Sequence, residues 1–202
     1  MKVEVTAYRH AAYDTPWWAA PSSRAGRFHR ASDATVQYLA LHPLGPAAEV
    51  LRHNVGPEGN PDDVRLNLWA VRVELDGVLT IGFDRCPEYA ITPDELVGDD
   101  YGPTQRLADT LRNRGAGGVR VPSAALPGTD NLVLFGPRLL IPYMAEPTDD
   151  IDAPSGHLTD RGRPPGEVAS VVRWFGHRHQ GLEQWRSEGR VEALEDPRPT
   201  RW

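Results

Sequence analysis

The segment GRFHRASDATVQYLALHPLGPAAEV, residues 26–50, limits the possible folds of this chain more than any other. Its run TVQYLAL (35–41) is β-branched and apolar enough for a buried strand. HPLGP (42–46) then reads as a turn feeding a short helix, with Pro46 at a position where its fixed φ is already helical and its missing N–H goes unneeded. Arg27, Tyr38 and Glu49 fall at two equal spacings along this segment. The expected helix puts Glu49 in its first turn, where the helix dipole would hold a carboxylate ionised by about 0.3 to 1 kcal/mol. Tyr38, leaving the strand, would face the same cleft.

The surrounding chain reads as a mixture of strands and short helices. Residues 3–9 alternate apolar Val3, Val5 and Ala7 with Glu4, Thr6 and Tyr8, the period of a half-buried strand that Arg9 ends. The loop that follows carries Trp17 and Trp18, as either a pocket wall or a core plug. After the turn-rich 54–63, residues 66–75 place Trp69, Val71, Val73 and Leu75 on one face, and Asp76-Gly77 before VLTIGF predicts a hairpin. Thr92 and Glu95 have the spacing of a capping box. A longer helix opens at Gly102-Pro103, buries Leu107, Ala108 and Leu111, and stops at Gly115. Residues 115–143 read as strand, Pro-Ser turn, strand, bend, strand. Their glycines precede a strand instead of joining a strand to a helix, so neither a Rossmann fingerprint nor a P-loop is present.

From 146 to 167 the chain turns acidic and proline-rich, the composition of a linker or a long surface excursion. Beyond it, 168–176 is strand-like and 181–196 helix-like, with Trp174, Trp185 and Trp202 available to pack on the core or meet a partner. The organisation expected is a domain over 1–145 and an acidic linker with a C-terminal extension over 146–202.

A net charge of −6 argues against a general nucleic-acid or anionic-membrane binder, since phosphate neutralisation needs a basic face. The basic residues are arginines apart from Lys2, and guanidinium forks suit phosphate groups. With Cys86 alone there is no intramolecular disulfide and no cysteine-rich zinc site, and His177-Arg178-His179 lacks a third spaced ligand, so no metal is expected. No stretch has the apolar core of a signal peptide or membrane span, which leads to a cytoplasmic expectation.

Tyr8-Arg9, then G-R-F-H (26–29), Tyr38-Leu39-Ala40, the helix with Glu49, and Val121-Pro122-Ser123, in that order, resemble the RES domain family over about residues 1–145. The family usually reads G-R-W-N, so Phe28 and His29 depart from its pattern. The resemblance implies an α+β, ADP-ribosyltransferase-like fold with central antiparallel β-sheets and flanking short helices. It also implies a toxin of a type II toxin–antitoxin system that degrades NAD, consumed as substrate with no further cofactor. A cognate Xre-like helix-turn-helix antitoxin and a hetero-oligomer follow, with no direct contact to nucleic acid or membrane.

Breaking the nicotinamide–ribose bond develops an oxocarbenium-like ribose, so a catalyst needs a fixed anion beside it, cations for the pyrophosphate and flat surfaces for the ring. Within the resemblance, Glu49 supplies the anion, and Arg9 and Arg27 grip the pyrophosphate. Tyr38 stacks on nicotinamide or donates to a ribose hydroxyl, and Ser123 bonds the ribose or the nicotinamide amide. Taken singly, each of the five reads first as an ordinary helix, loop, core or turn residue, and it is their joint order in the family pattern that favours the site. Water, inorganic phosphate or a protein side chain as acceptor gives a glycohydrolase, a phosphorylase or an ADP-ribosyltransferase. An inactive binding module stands as the alternative.

Overall fold

The computed structural model describes residues 2–11, 23–31, 35–135 and 156–196. The Trp17-Trp18 loop, the strand expected after Phe135, the first part of the acidic linker (146–155) and Trp202 lie outside these residues. The predicted first strand forms as β1, Val3–His10, and the segment at 35–41 forms β2, Val36–Ala40. Leu66–Leu75 is β3, Val78–Thr80 is β4, Gly118–Pro122 is β5 and Asp130–Phe135 is β6. With β7, Gly156–Gly162, they make one seven-stranded sheet in the order β4-β5-β6-β2-β1-β3-β7. The fold is α+β as expected, and every neighbouring pair is antiparallel except β4 with β5, which run parallel.

That parallel pair replaces the predicted hairpin. Gly77 does take a positive φ of 74° and turns the chain, but β4 leaves β3 and joins β5 on the far side of the sheet. Gly117 makes this approach possible, because a Cβ there would lie 2.8 Å from the Asp76 carbonyl oxygen. A local turn signal thus reported the bend correctly and the pairing wrongly.

Short helices cover the sheet. α1, Gly45–Val50, runs on into a π-helical turn at Leu51–Val55. α2, Pro93–Val97, starts with the predicted capping box between Thr92 and Glu95. α3, Gly102–Asn113, buries Leu107, Ala108 and Leu111 as its periodicity requires, packing them with Phe28, Val119 and Val133.

Residues 156–196 are built into this structure. β7 pairs with β3 from Leu66 to Val71, within a stretch expected to be linker. Val168–Val171 is one turn of helix, α4, where valine content predicted a strand. The core decides this: Val168 and Val172, four residues apart, both bury against Ala48, Leu51 and Leu126. α5, Gln180–Glu188, is shorter than the helix-like pattern because Gly189 takes φ 70° and ends it. Trp185 packs against the core beside Phe83, with ring centroids 5.7 Å apart.

Pairing between β1 and β2 is confined to Tyr8 opposite Ala40. Beyond that point the two strands separate, and the space between them forms the mouth of a cavity.

Candidate active site

A cavity of about 400 Å³ opens where β1 and β2 part, and its walls include Arg9, Arg27, Tyr38 and Glu49. Four of the five side chains expected at the site therefore meet at one place. The volume falls in the ordinary range for small-molecule sites.

Arg27 sits in a tight turn in which Gly26 and His29 exchange backbone hydrogen bonds of 3.0 and 3.4 Å. A Cβ on Gly26 would lie 2.9 Å from the Tyr38 hydroxyl and closer still to the His29 ring, so only glycine fits. α3 grips this turn with three side chains. Thr104 Oγ1 donates to the Arg27 carbonyl at 2.6 Å, Gln105 Nε2 to the Gly26 carbonyl at 2.9 Å, and Arg112 Nη2 to the Phe28 carbonyl at 2.6 Å. Phe28 itself is a core residue. Arg27 Nη1 donates to the carbonyls of Gly98 and Leu96 at 2.7 and 3.3 Å, and its guanidinium lies 4.9 Å from the centre of the Tyr101 ring. Burial lowers its pKa, a penalty offset in part by Tyr101 and Glu49.

Tyr38 lines the cavity with its ring, but its hydroxyl serves the turn. It accepts from the Phe28 N–H at 2.9 Å and lies 2.8 Å from His29 Nδ1. His29 Nε2 faces the Arg24 carbonyl at 3.1 Å and must carry a proton to bond it, so Nδ1 accepts and Tyr38 donates. The histidine that departs from the usual family pattern thus anchors the turn. Burial pushes the Tyr38 hydroxyl well above its ordinary pKa, so it stays a donor.

Arg9, next to last in β1, donates from Nη1 to Gln37 Oε1 on β2 at 2.7 Å, bridging the strands where their backbone pairing has stopped. Burial lowers its pKa too.

Glu49 corrects one expectation. It lies near the end of α1, two residues before the π-helical turn, so no helix N-terminus holds its charge. Side chains do so instead. Asn131 Nδ2 on β6 donates to Oε1 at 2.9 Å, and His53 Nε2, one turn further along the helix, stands 3.5 Å from Oε2. Burial works to raise the Glu49 pKa, but His53, Asn131 and Arg27 together outweigh it and leave the carboxyl below its ordinary value. About a third of the side chain, 34%, remains accessible.

Ser123 is the second correction. It is fully buried and does not line the cavity. Its Oγ accepts from the N–H groups of Leu126 and Ala125 at 3.1 and 3.3 Å, and its carbonyl oxygen lies 2.9 Å from His179 Nε2. The Pro-Ser turn therefore shapes the wall, which Pro122 and Ala124 form, while Ser123 stays behind it. His179 is occupied at both nitrogens, since Nδ1 also caps α5 by accepting from the Leu182 N–H at 3.0 Å, and burial lowers its pKa to about 4.

Behind the cavity a single carboxylate joins three groups that sequence reasoning missed. Asp99 Oδ1 accepts from Arg52 Nη2 at 2.6 Å and Arg173 Nη1 at 2.5 Å, and Oδ2 accepts from the Gly176 N–H at 2.7 Å. Burial opposes the charge on Asp99, but the Gly176 amide and the two arginines hold its carboxyl below the usual range. Of the missed residues only His53 left a trace in sequence, its i,i+4 spacing from Glu49; Asn131, Asp99 and Tyr101 reach the site through strand and loop placement.

No helix among the described residues is long and apolar enough to cross a membrane. A relative described as a probable NAD(+) phosphorylase of Mycobacterium tuberculosis is 34% identical over 118 residues, 58% of this chain and 56% of that protein. The chain thus spans about half the length of that curated relative. A chain in the crystal structure of the M. tuberculosis MbcT–MbcA toxin–antitoxin complex superposes with a TM-score of 0.63 at 18% identity, covering 84% of this chain and 90% of that one. At that identity the likeness is one of fold. The RES domain pattern matches residues 4–154. By that match, which takes in all four cavity-lining residues above, the chain belongs to the RES domain family.

Proposed function

We propose that the protein is the toxin of a toxin–antitoxin pair and degrades NAD by breaking its nicotinamide–ribose bond, with inorganic phosphate as the first-choice acceptor. The observation that carries this reading is the pairing in one cavity of an ionised Glu49 with Arg27 and Arg9. As the bond breaks, its electron pair leaves with nicotinamide, which becomes neutral, and positive charge builds on the ribose. A carboxylate already fixed by Asn131 and His53 stabilises that charge without having to reorganise. Arg27, its Nη1 tied to the protein backbone, and Arg9 present guanidinium groups to the pyrophosphate. An oxygen of the acceptor then forms the new bond to the ribose carbon and gives up its proton. With phosphate the product is a phosphorylated ADP-ribose, with water ADP-ribose itself. NAD is spent as substrate, and no additional cofactor takes part.

The relative's description as a probable NAD(+) phosphorylase supports phosphate as acceptor. The toxin–antitoxin complex of similar fold supports an antitoxin partner. We take that partner to be a helix-turn-helix protein, as the family resemblance implies, and the assembly to be a hetero-oligomer in the cytoplasm.

The test is release of free nicotinamide from NAD by the purified protein, with and without phosphate. Glu49→Ala is expected to lower kcat by about a hundredfold or more. Release that is unaffected in Glu49→Ala overturns the assignment of the anion.

A further inference from the structure

The acceptor oxygen, in water or in monoanionic phosphate, arrives with a proton that it must lose as its bond to the ribose carbon forms. Most of the cavity wall cannot take it. Arg9 and Arg27 already carry theirs, and the Tyr38 hydroxyl is committed to the turn around Arg27. Glu49 is engaged as the anion, with Asn131 on Oε1. Two histidines also line the cavity, His10 and His53. His10 follows Arg9, at the end assigned to the pyrophosphate, and its Nδ1 lies 3.2 and 3.3 Å from the backbone nitrogen and carbonyl oxygen of Asn67. His53 stands at the other end, beside the carboxylate.

The π-helical turn after α1 sends two consecutive side chains apart. Arg52 is buried on Asp99, whereas 44% of the His53 side chain stays accessible. His53 Nε2 stands 3.5 Å from Glu49 Oε2, and its Nδ1 has no partner among the described residues. Phe175 backs the imidazole edge-on at 71°, with ring centroids 5.1 Å apart. That ring is held in turn, since the Arg52 guanidinium lies 4.3 Å from its centre and Asp99 accepts from the Gly176 N–H beside it. The charged groups around His53 are thus Glu49 on its own helix and Arg52, paired with Asp99, which shares the Phe175 ring. A base needs an open nitrogen in the cavity and a neighbouring carboxylate to offset the charge it acquires. We propose that His53 is the general base of the reaction: Nε2 carries its hydrogen towards Glu49, and Nδ1 takes the proton of the acceptor. The acceptor oxygen bonds the ribose carbon with one electron pair, keeps the pair of its broken O–H bond, and the imidazolium later returns the proton to water. This inference rests on the NAD reading above, and it gives Phe175, beyond the family match that ends at residue 154, a part in positioning the base.

Steady-state kinetics of nicotinamide release on the full chain test it. His53→Ala and His53→Gln are each expected to lower kcat about a hundredfold, the low end of what a general base contributes, with KM for NAD little changed. Glutamine still offers Glu49 an N–H donor, so it separates proton transfer from support of the carboxylate. Free imidazole should restore release in His53→Ala in proportion to its unprotonated fraction. Wild-type kcat in His53→Gln, or a His53→Ala variant that imidazole does not restore, overturns the inference, as does finding the loss and the rescue at His10→Ala instead. If Glu49→Ala still abolishes release in any of these cases, the NAD reading survives; a wild-type protein that releases no nicotinamide removes both.

Discussion

Asn131 Nδ2 donates to Glu49 Oε1 across 2.9 Å, tying the strand that ends the Pro-Ser turn to the helix carrying the proposed anion. Asn131 Oδ1 is buried without a partner, so the amide is oriented by the carboxylate alone. Asn131→Asp would set a second carboxylate against Glu49 and raise its pKa by like-charge repulsion, where the wild-type value lies below the ordinary 4.5. The acid limb of kcat/KM for nicotinamide release should move up by roughly a unit or more. A pH profile identical to wild type would show that Glu49 is not the titrating group.

Tyr38→Phe removes the one hydroxyl that holds both the Phe28 N–H and His29 Nδ1. Leaving those two buried groups unmatched should cost about 1 to 3 kcal/mol of stability. The Arg27 turn loosens with them, so kcat/KM should fall even at temperatures where the variant is fully folded. Thermal melting followed by kinetics at 15 °C separates the two effects.

Ser123→Ala should behave as a folding variant. Its Oγ satisfies the amides of Ala125 and Leu126 behind the cavity wall, and losing it should cost about 1 to 2 kcal/mol. KM for NAD should stay within twofold of wild type. A large KM rise without a change in melting temperature would return Ser123 to the substrate.

Asp99 links acid stability to the site. Its folded pKa lies below the ordinary 3.8, so its contribution is complete above the unfolded value and is lost as pH falls through the folded one. Wild-type stability should therefore drop below about pH 4. Asp99→Asn leaves Arg52 and Arg173 without their shared charge and should cost on the order of 3 kcal/mol near neutrality, with a flatter acid limb. Urea titrations at pH 7 and pH 3 measure both.

Sequence carried the local structure well. The capping box at Thr92, the buried face of α3 and the period-two alternation of β1 and β3 are all short-range signals, and each formed where expected. Where a partner had to be chosen across the chain, it carried less. Asp76-Gly77 announces a bend and says nothing of β4 preferring β5, and the valines of α4 look like a strand until Val168 and Val172 meet the core on one face. At the site, Arg9, Arg27, Tyr38 and Glu49 were legible through their order in the family pattern. Their working partners were not, since Asn131, Asp99 and the α3 side chains beneath the Arg27 turn are fixed by tertiary packing.

The pairing of β7 with β3 bears on any attempt to trim the chain to its recognisable portion. A polypeptide ending at residue 154 would uncover the backbone donors and acceptors of Leu66 to Val71 along an open border of the sheet. It would also strip Val168, Val172 and Leu182 from the interior. Such an unprotected border invites other copies to add themselves as strands, so the shortened molecule should aggregate when produced, and its insolubility would say nothing about its chemistry.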